Sequence, residues 1–122
     1  MIKKLLIALI ICIGVQCIYA QNKRVVCYYT NWSQYRDGAA KFFPENIDPN
    51  LCTHIMYAFA KLENNQLAPF EWNDDSTDWS KGLYARAMDL KLKNPSLKIS
   101  LAVGGWNMGV APFKALVATD AT

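Results

Sequence analysis

Three runs of β-forming residues, separated by helix signals, limit what this chain can fold into. The runs are residues 25–29 (VVCYY), 54–60 (HIMYAFA) and 97–103 (LKISLAV). The second run does not alternate polar with apolar residues. A continuous apolar run is typical of a strand buried on both faces, as in the parallel sheet of an α/β fold. The sequence therefore predicts parallel strands joined by helical crossovers.

Helix signals follow the second and third runs. After the second, apolar residues are spaced four and three apart, at Leu83, Ala87 and Leu90. That spacing predicts one helical face, and Pro95 ends the pattern. Another helix is predicted from Pro112, because proline is tolerated near the first helical position. The stretch between the first two runs is rich in Pro and Asp, so it predicts only a short helix, near residues 44–51.

Residues 1–20 have the pattern of a secretory signal peptide. Lys3 and Lys4 precede an uncharged apolar run over residues 5–15, and Ala20 occupies the expected cleavage edge. The alternative is a membrane anchor, but the charge-free stretch of sixteen residues is shorter than the roughly 20 that a spanning helix needs. We expect a secreted, extracellular chain that starts near residue 21 and has no membrane contact after signal removal.

Removal of this segment would take Cys12 and Cys17 with it and leave Cys27 and Cys52. Two cysteines in an oxidising compartment most simply form one disulfide, although a pair of buried free thiols is the alternative. The two cysteines would be neighbours if strands one and two pair in a right-handed β-α-β unit.

Composition excludes several classes of protein. Hydrophobic residues make up 52% of the 122 residues, which excludes a disordered chain. Without Lys3 and Lys4, eleven basic residues face ten acidic ones, so charge gives no reason to expect nucleic-acid binding. One His and few Cys leave little room for a metal site of common spacing. Three strand–helix units cannot close a barrel and would leave exposed edges, so we interpret the chain as a fragment of a larger domain or a truncated gene product.

Four segments stand out together: residues 26–32 (VCYYTNW), 48–59 (DPNLCTHIMYAF), 71–74 (EWND) and 102–107 (AVGGWN). In this order they closely resemble the amino-terminal third of animal chitinases of glycoside hydrolase family 18, and equally their inactive relatives, the chitinase-like lectins. The stretch over residues 76–90 looks several residues longer than in vertebrate members. The resemblance implies a (β/α)8 TIM barrel, of which about the first three βα units are present here, with its site at the carboxyl ends of the strands.

The resemblance also implies which residues contact a sugar. Trp106 would stack on a sugar ring, because a flat indole buries the axial C–H groups while equatorial hydroxyls bond sideways. The alternative is a core tryptophan plugging the barrel mouth. A non-proline cis bond would join Ala58 to Phe59. The residues expected to bind chitin or chito-oligosaccharide are Tyr28, Trp32, Phe59, Glu71, Trp72, Gly104, Gly105, Trp106 and Asn107.

Other readings stay open for some of these residues. Trp32 resembles an outer stacking platform, but it could be a surface tryptophan under a loop. Glu71 could be a solvated loop carboxylate. Asn31-Trp32-Ser33 is a glycosylation sequon, which we expect to be unoccupied because its Trp lies where sugar should stack. His54 is interpreted as structural.

No catalytic residue is assigned. In this family the substrate's own N-acetyl group attacks the anomeric carbon, and one Glu of a D-x-x-D-x-D-x-E motif after strand four acts as acid and then base. These 122 residues contain no such motif, since Asp75 and Asp78 have its first spacing but Ser80 and Gly82 occupy the next acidic places. We expect the binding part of a chitinase, monomeric and without cofactor or metal. The alternative is a non-hydrolytic, chitin-binding lectin.

Overall fold

A four-stranded sheet forms the centre of the computed structural model, which describes residues 23–118. The predicted signal peptide over residues 1–20 therefore lies outside the described residues. The strands are β1 (Val26–Thr30), β2 (His54–Glu63), β3 (Gln66–Pro69) and β4 (Lys98–Val103). β2 is central: it pairs in parallel with β1 on one side and with β4 on the other. The three predicted parallel strands are therefore confirmed.

β3 is a strand that the sequence patterns did not predict. It pairs antiparallel with the far end of β2, through a tight turn at Asn64 and Asn65. Both asparagines have positive φ, 52° and 60°. Asparagine tolerates this left-handed conformation better than most residues, and such turns match the twist of a hairpin. β2 thus runs three residues beyond its last parallel pair, Ala60 with Val103, and the chain then folds back as β3.

The helices differ in detail from their predictions. They are α1 (Leu83–Met88), α2 (Leu90–Lys93) and α3 (Ala111–Leu116). The predicted helix between strands is thus divided at Asp89, although its apolar face is the one expected. α3 begins one residue before the predicted Pro112. The helix expected near residues 44–51 is only a 3₁₀ turn over Pro44–Asn46, because the aspartate and proline that follow favour turns over helix.

One face of the sheet carries the core. Tyr29, Ile55 and Tyr57 on β1 and β2 are buried in one cluster with the apolar face of α1 and α2. That helical face consists of Leu83, Ala87 and Leu90. The opposite face of β1 is open, with Tyr28 63% exposed, so the burial on both faces expected from the apolar runs holds for much of β2 but not for β1.

The two ends of the loop between β3 and α1 lie next to each other. The amide of Leu83 donates to the carbonyl of Asn73 at 2.9 Å, and that of Tyr84 to the carbonyl of Asp74 at 3.0 Å. At Gly82 a Cβ atom would lie 2.2 Å from the carbonyl carbon of Asp75, so only glycine allows the two ends to approach this closely. The loop over residues 75–81 is therefore closed at its base.

The disulfide between Cys27 and Cys52 is confirmed. It joins β1 to the segment just before β2, with a Cα–Cα separation of 6.1 Å. The cross-link therefore fastens the edge strand β1 to the central strand. Among residues 23–118, no helix is long and apolar enough to cross a membrane.

Removing this cross-link should destabilise the chain. The bond closes a loop with a sequence separation of 25 residues, and the chain-entropy relation gives a stabilisation of about 3.5 kcal/mol for a loop of that size. We expect the double substitution Cys27→Ala and Cys52→Ala to lower the free energy of unfolding by about that amount, measured by urea denaturation. Equal stability of the oxidised chain and the double variant would contradict the prediction.

Candidate functional site

A cavity of about 380 Å³ opens at the edge where the parallel strands end. The 3₁₀ turn Asn31–Tyr35 follows β1, and the Gly104-Gly105 pair follows β4. Phe70 and Glu71 follow β3 and complete the rim. The residues that line the cavity are Asn31, Trp32, Phe59, Phe70, Glu71, Gly104, Gly105, Trp106 and Asn107. The structure thus brings together seven of the nine residues predicted from the sequence.

The other two predicted residues do not line this cavity. Tyr28 projects from the open face of β1 and borders a separate cavity near Cys27 and Cys52. Trp72 is exposed just beyond Glu71. Both side chains are accessible, but neither shares the pocket formed by the other seven.

Trp32 and Phe59 form an aromatic wall. Their rings stack with centroids 5.7 Å apart and an interplanar angle of 16°. The peptide bond between Ala58 and Phe59 is cis, as the resemblance implied. Trp32 keeps contact with solvent while its ring rests on Phe59, so it presents a flat apolar face supported from behind.

The two glycines after β4 are required by backbone conformation and by close packing. Gly104 and Gly105 have φ of 118° and 95°, a region that L side chains rarely adopt. A Cβ atom at Gly105 would lie 3.0 Å from the ring of Phe59. The turn places Trp106 at the cavity with 98% of its surface exposed, so within the described residues its indole is not part of a core.

A buried carboxylate lies behind the cavity. Asp74 has no exposed surface. Its Oδ2 accepts hydrogen bonds from the Nδ2 of Asn31 at 3.1 Å, the amide of Phe70 at 3.1 Å and the amide of Glu71 at 2.9 Å. Its Oδ1 accepts one from the hydroxyl of Tyr57. All four partners are uncharged, and together they replace the water that a buried carboxylate loses.

Asn31 links Asp74 to the aromatic wall of Trp32 and Phe59. Its Nδ2 also donates to the carbonyl of Phe59 at 3.1 Å, and its Oδ1 accepts from the amide of Phe59 at 3.3 Å. Asn31 thus bonds both polar groups of the Phe59 backbone. Because Asp74 holds Asn31 and the Glu71 backbone, one carboxylate fixes two sides of the cavity.

Glu71 is held in place by a second contact. The hydroxyl of Tyr35 donates to its Oε2 at 2.6 Å. This hydrogen bond to Glu71 is the main cause that raises the pKa of Tyr35 above its usual value. Beside it, the side-chain amides of Gln34 and Asn73 are hydrogen-bonded to each other in both directions. Glu71 therefore lines the cavity with a carboxylate that is hydrogen-bonded to Tyr35.

Burial sets the ionisation of the tyrosines under the site. It raises the pKa of Tyr29 to about 12. Burial, followed by the hydrogen bond to Asp74, raises the pKa of Tyr57 well above its usual value. Burial also raises the pKa of Tyr84, with the Asp74 charge adding to it. Tyr57 therefore stays a neutral donor to Asp74 throughout the ordinary pH range.

Sequence reasoning missed the residues that support the site. Asn31, Tyr35, Phe70 and Asp74 were not singled out as site residues. Asp74 belongs to the quoted EWND segment, yet nothing in the sequence separates it from the exposed Asp75 and Asp78 that follow.

The remaining candidates lie elsewhere. Asp75 and Asp78 lie in the loop before α1 and not at the end of a parallel strand. His54 starts β2, at the opposite end from the cavity, where its Nδ1 is 2.8 Å from the hydroxyl oxygen of Thr53. Within residues 23–118 no group of three or more His, Cys, Asp and Glu could hold a metal ion.

The sequon at Asn31 should remain unglycosylated. A glycan would attach to the Nδ2 of Asn31, but this residue is 1% exposed and that nitrogen donates to Asp74 and Phe59. Protein from a eukaryotic secretory host should keep its mass after treatment with peptide N-glycosidase. As a control, Gln66→Thr creates a sequon at Asn64 in the exposed hairpin turn, which should be glycosylated. A mass loss for the unaltered chain would contradict the prediction.

Comparison with known proteins agrees with the predicted fold. The sequence profile described as "Glycosyl hydrolases family 18" matches residues 24–122. An endochitinase of Brugia malayi is 57% identical over 88 residues, which is 71% of this chain and 18% of the relative. Chitotriosidase-1 of Mus musculus is 52% identical over 96 residues, 79% of this chain and 19% of the relative. The chain thus spans about a fifth of the length of these relatives.

Two solved structures show the same arrangement of strands. An immunomodulatory active chitinase from Trichuris suis aligns with a TM-score of 0.72 and 46% identity, over 81% of this chain and 26% of that one. Human YKL-39, described as a pseudo-chitinase with retained chitooligosaccharide binding properties, aligns with a TM-score of 0.70 and 43% identity, over 80% of this chain and 25% of that one. The chain belongs to glycosyl hydrolase family 18, and its parallel strands form part of the family's TIM barrel.

Proposed function

We propose that this chain binds chitin or chito-oligosaccharide and forms the binding part of a secreted, monomeric chitinase that hydrolyses β-1,4-linked N-acetylglucosamine polymers. The observation that carries the proposal is the cavity, in which Trp32, Glu71 and Trp106 converge. Clefts that combine a few aromatic faces with restrained polar groups suit a ligand that is apolar on its ring faces and polar around its edge. The signal-peptide pattern over residues 1–20 supports secretion.

Each cavity residue has a part in binding. Trp106 stacks on one sugar ring, and Asn107 beside it supplies a donor and an acceptor for hydroxyl or acetamide groups. Trp32, supported by Phe59, receives a sugar farther along the polymer. Glu71, held by Tyr35, accepts hydrogen bonds from sugar hydroxyls.

The two predicted residues outside the cavity extend this surface. The exposed Trp72 contacts the polymer beyond Glu71, and Tyr28 meets it from the open face of β1. Gly104 and Gly105 contribute backbone, because the absence of side chains lets the sugar approach the turn.

Hydrolysis needs groups that these 122 residues do not contain. In substrate-assisted, retaining catalysis the substrate's N-acetyl group attacks the anomeric carbon while a Glu protonates the leaving oxygen. This chain's residues bind and orient the polymer, which stabilises substrate and transition state alike and does not by itself raise the rate. The acid and the Asp that positions the acetamide belong to the D-x-x-D-x-D-x-E motif, which is absent from these residues.

The second candidate function is carbohydrate binding without hydrolysis. One relative, human YKL-39, is described as a pseudo-chitinase that retains chitooligosaccharide binding. All the residues in the cavity serve binding, so both functions use them equally. The residue that closes the strand-four motif in the complete transcript separates the two, because Glu indicates a hydrolase and any other residue a lectin.

Substitution of Trp106 tests the binding surface. Trp106→Ala removes the stacking face, so we expect about tenfold weaker adsorption to chitin, in line with the loss of one aromatic contact and its buried area. Trp79→Ala is the matched control, since Trp79 is 93% exposed but does not line the cavity. Adsorption isotherms on powdered chitin measure both. Equal losses for the two variants would show nonspecific adsorption and contradict the proposal.

The chain alone should not hydrolyse chitin. Purified residues 21–122 are expected to release no fluorophore from a fluorogenic chitobioside above the buffer rate, because no general acid is present where one is needed. Turnover that disappears in a Glu71→Gln variant would contradict this, since it would make Glu71 the acid.

A further inference from the structure

We propose that Asp74 is the positioning residue of the sugar-binding cleft and that its two carboxylate oxygens have separate tasks. Oδ2 sets the geometry of the cleft, and Oδ1 joins the same residue to the core through Tyr57. Asp74 lies behind the cavity lining, so it acts through other residues and does not touch the sugar. The inference deepens the proposed function and rests on it for the identity of the ligand.

The partners of Oδ2 all belong to the cleft. They are the side chain of Asn31 and the amides of Phe70 and Glu71, each of which contributes to the cavity lining. Through Asn31 the same oxygen is linked to both backbone polar groups of Phe59, against which Trp32 stacks. A shift of Oδ2 would therefore move Glu71 and the aromatic wall relative to each other.

The partner of Oδ1 belongs to the core. The hydroxyl of Tyr57 donates to it, and the Tyr57 ring packs against Tyr29 and Tyr84 with centroids 5.2 and 4.8 Å away. Tyr57 is fully buried and does not line the cavity. The contact of Oδ1 therefore joins Asp74 to the core and contributes to stability, whereas the contacts of Oδ2 fix the cleft.

The two tasks can be separated by substitution. Asp74→Asn can place its amide oxygen where Oδ2 lies and keep all three N–H donors, while its NH2 group faces the Tyr57 oxygen, which can accept. Asp74→Leu has a similar size but accepts no hydrogen bond. Tyr57→Phe removes only the contact to Oδ1.

The first measurement is amide hydrogen exchange of Phe70 and Glu71 in the full chain, without ligand. Both amides should be protected in the unaltered chain, in Asp74→Asn and in Tyr57→Phe, and should lose protection in Asp74→Leu. If either amide of the unaltered chain exchanges at the random-coil rate, the proposal is overturned. Amide exchange in the unaltered chain therefore tests the proposal even if Asp74→Leu does not fold.

The second measurement is the affinity for the β-1,4-linked N-acetylglucosamine hexasaccharide, by calorimetry at a temperature where every variant is folded. Asp74→Asn and Tyr57→Phe should bind within about twofold of the unaltered chain although Tyr57→Phe melts at a lower temperature, and Asp74→Leu should bind at least about tenfold more weakly. Unchanged affinity in Asp74→Leu, or a tenfold loss in Tyr57→Phe, would overturn the proposal. Failure of the unaltered chain to bind, with both amides protected, would instead refute the chitin-binding function.

Discussion

The hydrogen bonds of one buried carboxylate hold together the edge of the sheet at which the cavity opens. Asp74 receives donors from the turn after β1, from β2 and from the segment after β3. These segments are far apart in sequence, and loops that end a parallel sheet have no ladder of their own to fix them. A charged acceptor in a water-excluded position makes stronger hydrogen bonds than a neutral one. The hydrogen bonds that Asp74 accepts therefore hold these segments together where the strands stop.

The sheet itself depends on less specific forces. β2 is bonded on both sides by parallel neighbours and buried under α1 and α2. β1 has helix cover on one face only and is fastened to the segment before β2 by the Cys27–Cys52 bond. The core and the disulfide thus stabilise the sheet, whereas the polar network behind the cavity determines the shape of the cavity opening.

Much of the sheet and its helices could be predicted from the sequence, because apolar runs and helical spacing indicate burial directly. The glycine pair before Trp106 was also readable, since two successive glycines mark a turn that side chains would obstruct. The hairpin of β3 was not predicted because it rests on the left-handed conformation of Asn64 and Asn65, which is a local turn preference and not a hydrophobic pattern. Asp74 was missed for a related reason: its burial arises from tertiary contacts, and its neighbours Asp75 and Asp78 look the same in sequence.

The closed base of the loop over residues 75–81 has a consequence for how such proteins vary and can be engineered. Gly82 lies against the Asp75 backbone, and the amides after it return to Asn73 and Asp74. The length of this loop can therefore change without moving either of its ends. Lengthening a loop between fixed ends costs little entropy. The loop over residues 75–81 is thus a suitable insertion point for a reporter peptide or a fluorophore.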